Sequence, residues 1–499
     1  MIKIVNSAAQ ACLPTIQWPV TQKVVALVRR HPWATLAVGV SIVGVLALTA
    51  RAGVGLYKQF MQPSGPASEP PTKIDKPANK SPTEFDKTLA RIRSNDPTLT
   101  LLYLDSLQLE NADTRALMEA LKRNTKLEKL VFSAYGIGDE GAEAVKGIVG
   151  ILNENKTITC LELCDSNIGP EDAMALANAL EKNTTLATLE LLSTKIGDEG
   201  AQAIAGALKR NGTLITLSLR HNKIGNEGAQ AIAEALKENQ TLKELCFACH
   251  SIGAEGIQVI ADVLKENKTL ETLEIGGSSI GVGGVQSIAE ILQENKTLTT
   301  LKIACGNIGA EGAQVIAEAL KRNRTLTTLV LKPNNIGDVG AQAVAEALEE
   351  NQTLKELCLA CDSIADEGMK ALAGALKENK TLTTFAFSNV EITDTAALAI
   401  ADALRGNRTL TTLRLVNTRI NLSSAHAIVG ALKDNRKLST LDLTLTQIGD
   451  TVAKLLVDAL KDNTTLIKLD LTNGVIRDDI RQQISDALER NAARANAST

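Results

Sequence analysis

The sequence predicts an α/β solenoid, with a parallel sheet on the concave side, helices on the convex side and a single transmembrane helix ahead of them. Three observations predict it. An apolar frame recurs fourteen times across residues 99–491 at a nearly constant spacing of 28 residues. Within each unit the apolar period switches from two residues to about 3.6. Finally, residues 34–50, ATLAVGVSIVGVLALTA, carry no charge.

Composition narrows the function. The 499 residues hold Lys+Arg 53 against Asp+Glu 57, a formal charge of −4. That argues against a nucleic-acid partner, which needs a basic face to displace counterions. Aromatic residues make up 2%, so stacking platforms and ring-lined small-molecule clefts are not expected. Eight cysteines are sparse for a disulfide framework in so long a chain, and reduced thiols are expected.

Residues 1–32 form an N-terminal segment. A helix needs about 20 residues to cross about 30 Å of hydrocarbon, and 33–57 suffices if Arg51 reaches the interface. Trp33 and Tyr57 sit where interfacial aromatics belong. The expectation is a single-pass membrane protein. A cleaved signal peptide ending near Ala50-Arg51-Ala52 and a buried core helix compete with it. Lys23, Arg29 and Arg30 before the span, against Arg51 and Lys58 after it, weakly favour a cytoplasmic N-terminus.

Residues 58–82 read as an extended, solvated linker, since seven of the 12 prolines fall within 61–97. Ser81, Pro82 and Glu84 then mark a helix start with a capping box. Residues 83–98 become a capping helix whose stripe Phe85, Leu89 and Ile92 covers the first end of the array.

The repeats begin at Leu99, and the frame restarts at Leu127, Ile158, Leu186 and onward to Leu466. Twelve of the thirteen spacings are 28 residues and one, 127 to 158, is 31. Leu326-Thr-Thr-Leu329-Val-Leu331 alternates and reads as a short strand. An Ile at offset 10 ends the turn in thirteen units. In Gly197-Asp198-Glu199-Gly200-Ala201, Asp198 reads as the N-cap of its own helix. Ala201, Ile204 and Leu208 form that helix's apolar stripe. An Asn three residues before the strand, as at Asn211, reads as a left-handed helix stop. Helices are about 10 Å wide and strands about 4.8 Å apart, so stacked units must curve with strands inside. The three extra residues fall in the helix of the second unit. Residues 492–499 form a tail.

This frame, LxxLxLxxNxI with a GDEGAxxIAxAL helix, resembles the leucine-rich repeat in its 28-residue ribonuclease-inhibitor-like class, also seen in Ran GTPase-activating proteins and NOD-like receptors. The likeness covers 99–491, about four fifths of the chain. It implies an α/β horseshoe that recognises proteins. The Asn of that family at offset 8 stands here only as Asn222 and Asn334, with Asp362 a near substitute. The side-chain ladder of the turn is therefore expected to be incomplete, with water or Ser/Thr standing in.

Several motifs invite chemistry. Cys246-Phe-Ala-Cys249-His250 is literally CxxCH, yet its repeat phase and the sister unit Cys358-Leu-Ala-Cys361-Asp362 favour plain small residues over haem or zinc. Gly374–Thr381 mimics a phosphate loop but ends a helix, whereas a phosphate loop begins one. N-x-T stands in register from Asn155 to Asn463 and reads as helix stops followed by a β-former, not as glycosylation sites. No catalytic constellation, metal site or cofactor is expected, and no small-molecule substrate.

The concave face follows from register. Glu162, Glu190, Glu244 and Glu274 make an acidic stretch interrupted by Arg220. Lys302 and Lys332 make a basic middle, Glu356 joins at offset 2, and Asp442 and Asp470 close acidic after Arg414. Tyr103 and Tyr135 are the candidate aromatic anchors. The expected function is a membrane-anchored protein-interaction module, sharpened by its eukaryote-like repeats to a bacterial effector acting on host proteins. A GTPase-activating or ligase-recruiting regulator, or a structural surface spacer, is the alternative.

Overall fold

The computed structural model describes residues 84–497 except 106–110, 134–140, 166–167, 250, 278–279, 305–307, 333–334, 361–362, 445, 447 and 473. The chain divides into two units, Met1–Pro70 and Pro71–Thr499, and the first lies outside the described residues.

Strands and helices alternate along the second unit. The strands begin with β1 (Leu101–Asp105), β2 (Lys129–Ser133), β3 (Cys160–Cys164), β4 (Thr188–Leu192) and β5 (Thr216–Ser218). They continue with β6 (Glu244–Ala248), β7 (Thr272–Gly276), β8 (Thr300–Ala304), β9 (Thr328–Lys332) and β10 (Glu356–Ala360). The last are β11 (Thr384–Ser388), β12 (Glu391–Ile392), β13 (Thr412–Val416), β14 (Arg419–Ile420), β15 (Thr440–Asp442) and β16 (Lys468–Asp470). Fourteen of them form one sheet in chain order, and β12 pairs with β14 apart from it. All the pairings are parallel, because each strand returns through a helix before the next begins.

The 28-residue period sets the register. Leu329 lies opposite Leu301 on one side and Leu357 on the other. Across the long spacing Lys129 lies opposite Cys160, so the insertion leaves the ladder unbroken. The helix absorbs it: Gly141–Glu154 runs 14 residues from its first glycine, where the equivalent stretch Gly228–Glu238 runs eleven.

The core lies between sheet and helices. Leu186, Leu189, Leu191, Ile196, Ala201, Ile204 and Leu208 are all wholly buried and complete one unit's share. Each large apolar side chain there contributes roughly 1.5–3 kcal/mol. Every helix packs on its successor. The first helix, Glu84–Arg93, buries Phe85, Leu89 and Ile92 and packs on Asn111–Arg123.

Two local readings change. The Asn before each strand is not left-handed; Asn183 has φ −76° and ψ 132°. Its Oδ1 accepts from the backbone N–H of Thr185 at 2.9 Å and Leu186 at 2.7 Å, and its Nδ2 donates to Leu152 O of the preceding repeat at 2.7 Å. Asn124 through Asn463 repeat this pattern, for instance at Asn239, Asn351 and Asn435. The helix ends without a left-handed residue because a buried amide side chain already holds its orphaned carbonyls. The N-x-T motifs are this ladder: Thr185 Oγ1 also reaches Asn183 Oδ1, at 3.3 Å.

Asp198 does not cap its own helix. Its Oδ1 accepts from the N–H of Gly225 at 2.7 Å and Gly228 at 2.9 Å, the first turn of the next repeat's helix. Those are the two donors that a capping box would satisfy from within one helix. Asn226 serves Gly253 and Gly256 in the same way, and Asp338 serves Ala365 and Gly368.

The expected transmembrane helix is also corrected. Residues 33–57 lie outside the described residues, and among those described no helix is long and apolar enough to cross a membrane. The physical reason is that these helices carry one apolar stripe and a charged outer face. Even the longest, Asp478–Ala497 with 20 residues, is studded with charge from Asp478 to Arg494. Single-pass membrane localisation, and a membrane contact through 33–57, are withdrawn.

Candidate functional site

The sheet's outer face is the candidate site. Alternation sends Leu at offsets 3 and 5 inward and offsets 2, 4 and 6 outward. The parallel register then lines up the offset-4 residues, one per strand. From β1 the row reads Tyr103, Val131, Glu162, Glu190, Ser218, Cys246 and Glu274. From β8 it reads Lys302, Val330, Cys358, Ala386, Arg414, Asp442 and Asp470. Glu244 and Glu356 stand in the offset-2 row, while Arg220 and Lys332 stand in the offset-6 row. The sequence-predicted residues are thus brought onto one face, except Tyr135, which lies outside the described residues.

Their states differ. Arg220 does not merely interrupt the acids: its Nη2 lies 2.6 Å from Glu274 Oε2, with side chains 12% and 2% exposed. The same nitrogen lies 3.2 Å from Cys246 Sγ, which stands between them in the register. Glu162 is buried and pairs with Lys129 Nζ at 2.5 Å. Burial works against the Lys129 ammonium, but the Glu162 carboxylate overrides it and leaves the amine above its usual value. Lys129 was missed from the sequence because offset 2 is dominated by Thr. Glu190 lies directly opposite Glu162 and is half-buried.

Asp442 and Asp470 hold their own chain. Asp442 Oδ1 accepts from Thr444 N at 3.0 Å and Thr444 Oγ1 at 2.6 Å, and Asp470 does the same for Thr472. The Asp-x-Thr spacing was legible, and it marks a local turn. Glu244 is exposed and accepts from Thr216 Oγ1 at 3.3 Å.

Between the charges runs a buried apolar row. Val131, Cys246, Ala248, Val330, Cys358, Ala360, Ala386 and Val416 are buried but stand outside the interior core. Burial pushes the Cys246 thiol up to about 12 and Cys160 to about 11. Cys249 belongs to the core, donates to Leu219 O at 3.0 Å and is pushed by burial to about 12. The two cysteines of the CxxCH motif therefore occupy different environments. Among the described residues no cluster of His, Cys, Asp and Glu could hold a metal ion.

The turn ladder is partial. Asn222 accepts from Thr194 N at 3.0 Å and donates to Leu191 O at 2.7 Å. In later units Thr418 and Thr446 donate only to a carbonyl of their own turn. Asn334 and Asp362 lie outside the described residues.

A leucine-rich repeat family model matches nine segments: 154–177, 182–205, 210–233, 238–261, 266–289, 294–317, 322–345, 350–373 and 434–457. This chain is a leucine-rich-repeat protein. Human leiomodin-1 is similar to it, 32% identical over 117 residues that cover 23% of this chain and 19% of leiomodin-1. The chain thus matches about a fifth of that relative's length. A solved structure of leiomodin-1 actin-binding site 2 matches 43% of this chain and 91% of its own at 24% identity, with a TM-score of 0.20. That superposition is too poor to bear on the site. The leucine-rich-repeat assignment rests on the period, the register and the nine matched segments, and it makes the chain a module of the protein-interaction type.

Proposed function

We propose that this leucine-rich-repeat protein binds another protein on the outer face of its sheet, between β3 and β13. One observation carries the reading. The face aligns unlike charges in one register, with Glu162 and Glu190 toward one end and Lys302, Lys332 and Arg414 beyond them. The helix layer offers less. There Lys209–Glu238, Lys265–Glu290 and Lys377–Asp402 pair across repeats at 2.8, 2.7 and 2.9 Å. Patterned charge on a rigid face gives partner selection and association rate.

The test is capture on the immobilised full chain. Glu190→Lys with Glu244→Lys should lose the retained protein, because both carboxylates lie on the face and neither is in the Arg220–Glu274 pair. Lys237→Glu with Lys454→Glu, on the helix side, should keep it. The reverse pattern contradicts the reading. Purified actin, for which the leiomodin-1 site is named, is one protein to offer. The host-directed effector, GTPase-activating, ligase-recruiting and spacer readings have no observation of their own among the described residues.

A further inference from the structure

The sheet ends on β16 with an open edge. Among the described residues β16 pairs with β15 and with no strand beyond it. Lys468 N donates to Ser439 O at 3.0 Å and Asp470 O accepts from Leu443 N at 2.9 Å, so residues 468 and 470 turn their backbone groups toward β15. Alternate residues of a strand in a parallel ladder face opposite neighbours, so the N–H and C=O of Leu469 point off the sheet. The helix Asp478–Ala497 that follows packs on Asp450–Asp462 in the helix layer and supplies no strand. Apolar cover is also thinner here. Leu469 is partly buried, where its counterparts Leu413 and Leu441 are buried, and Ile467 and Val475 are 41% and 88% exposed. The charges of β16 complement themselves on reversal. Lys468 and Asp470 flank Leu469 on one face of the strand, so a reversed copy centred on Leu469 sets each lysine opposite an aspartate. Lys468 is exposed. Asp470 lies opposite Asp442 within the sheet, a like charge that a cation on its other side relieves. Its Thr472 contacts both use Oδ1, and a carboxylate accepts on two oxygens.

We infer that two copies of this chain join edge to edge, β16 antiparallel to β16 about a two-fold axis at Leu469. The two Leu469 residues exchange N–H to C=O bonds, as directly opposed residues of a hydrogen-bonded antiparallel pair do. Lys468 of each copy then meets Asp470 of the other in the closer, non-hydrogen-bonded pairs on either side. The contact is isologous and closes on itself, so it stops at a dimer. The sheet's other end, β1, fits this edge less well: it sets Leu101 and Tyr103 at the offsets of Lys468 and Asp470 and brings no cation to the aspartate. The shared strands are short, so the dimer is expected to dissociate on the order of tens of micromolar. The inference is separate from the binding of a protein on the sheet's outer face.

The test is sedimentation velocity on the full chain at low ionic strength, from about 1 to about 100 μM. A monomer–dimer equilibrium is expected. Lys468→Glu and Asp470→Lys each set like charges opposite one another twice per dimer, and each should weaken association about tenfold or more. Mixed together, the two variants should associate with each other about as tightly as the parent, because both ion pairs re-form between unlike copies. Lys468→Arg should keep the dimer, which leaves the test standing if circular dichroism shows that Asp470→Lys fails to fold. Lys454→Glu, on the helix side, makes the same change of charge as Lys468→Glu and should leave association unchanged. No association, association that Lys468→Glu does not weaken, or folded variants that fail to recover it on mixing overturns the inference. So does growth beyond the dimer, which pairing of β16 with β1 would give. Tighter association on Lys468→Thr overturns it too, since Lys468 would then guard the edge against pairing.

Discussion

Asn239 shows how much one side chain carries. Its Oδ1 accepts from Thr241 N at 3.0 Å and Leu242 N at 2.8 Å, and its Nδ2 donates to Leu208 O at 2.8 Å and Asn211 O at 3.2 Å. Asn239→Ala leaves those buried groups without their partner, and a loss of about 2–4 kcal/mol is expected from urea unfolding. A change under about 0.5 kcal/mol would show that the ladder is decorative. The thiols make a second residue-scale prediction. Cys246 and Cys249 ionise near 12 when folded and near 9.0 as a free thiol. Between those values the unfolded chain gives up its protons first, so stability is full below about pH 9 and declines as pH rises toward 12. Neither thiol should react with iodoacetamide at pH 8 unless the chain unfolds, because the thiolate is the nucleophile. Mass spectrometry of the labelled native chain checks this, and rapid labelling would contradict the burial.

Neighbouring repeats are joined at the scale of the helix. Asp198 caps the following helix, and Gly228 is glycine because a Cβ there would lie 2.5 Å from Ile224 Cγ2, 2.7 Å from Asp198 Oδ1 and 3.1 Å from Ala201 Cβ. Asp198→Ala should cost about 1 kcal/mol, the usual worth of a cap. Gly228→Ala should cost more alone than in the Asp198→Ala background, because the two share one space. Additive losses in thermal unfolding would contradict the shared seat. This is also where sequence reading fell short. The Leu and Ile frame made strand, turn and helix legible, since alternation and the 3.6-residue stripe are local signals. Asn and Asp at fixed phase were legible as helix-boundary residues but assigned to their own helix. Their partners are about 28 residues away, as Asn239 with Asn211 O shows, and such a contact appears only once the stacking is drawn.

Across the whole array the same limit shaped the candidate site. Register alone placed Glu162, Glu190, Lys302 and Arg414 on one face, because offset and period fix direction. It could not show that Arg220 crosses a strand to reach Glu274, since their separation spans two repeats. Nor does register mark Asp442 and Asp470 as residues that hold their own turns; the Asp-x-Thr spacing is the signal that does. A stacked array also makes each repeat depend chiefly on its neighbours, so the binding face is as stable as the ladder and caps beneath it. The central claim is that the sheet's outer face, not the helix layer, meets the partner. Lysine acetylation of the full chain, with and without its captured protein, tests it most directly. Protection of Lys302 and Lys332 with unchanged labelling of Lys237 and Lys454 is the predicted result. Protection of Lys237 and Lys454 with Lys302 and Lys332 unchanged would contradict it.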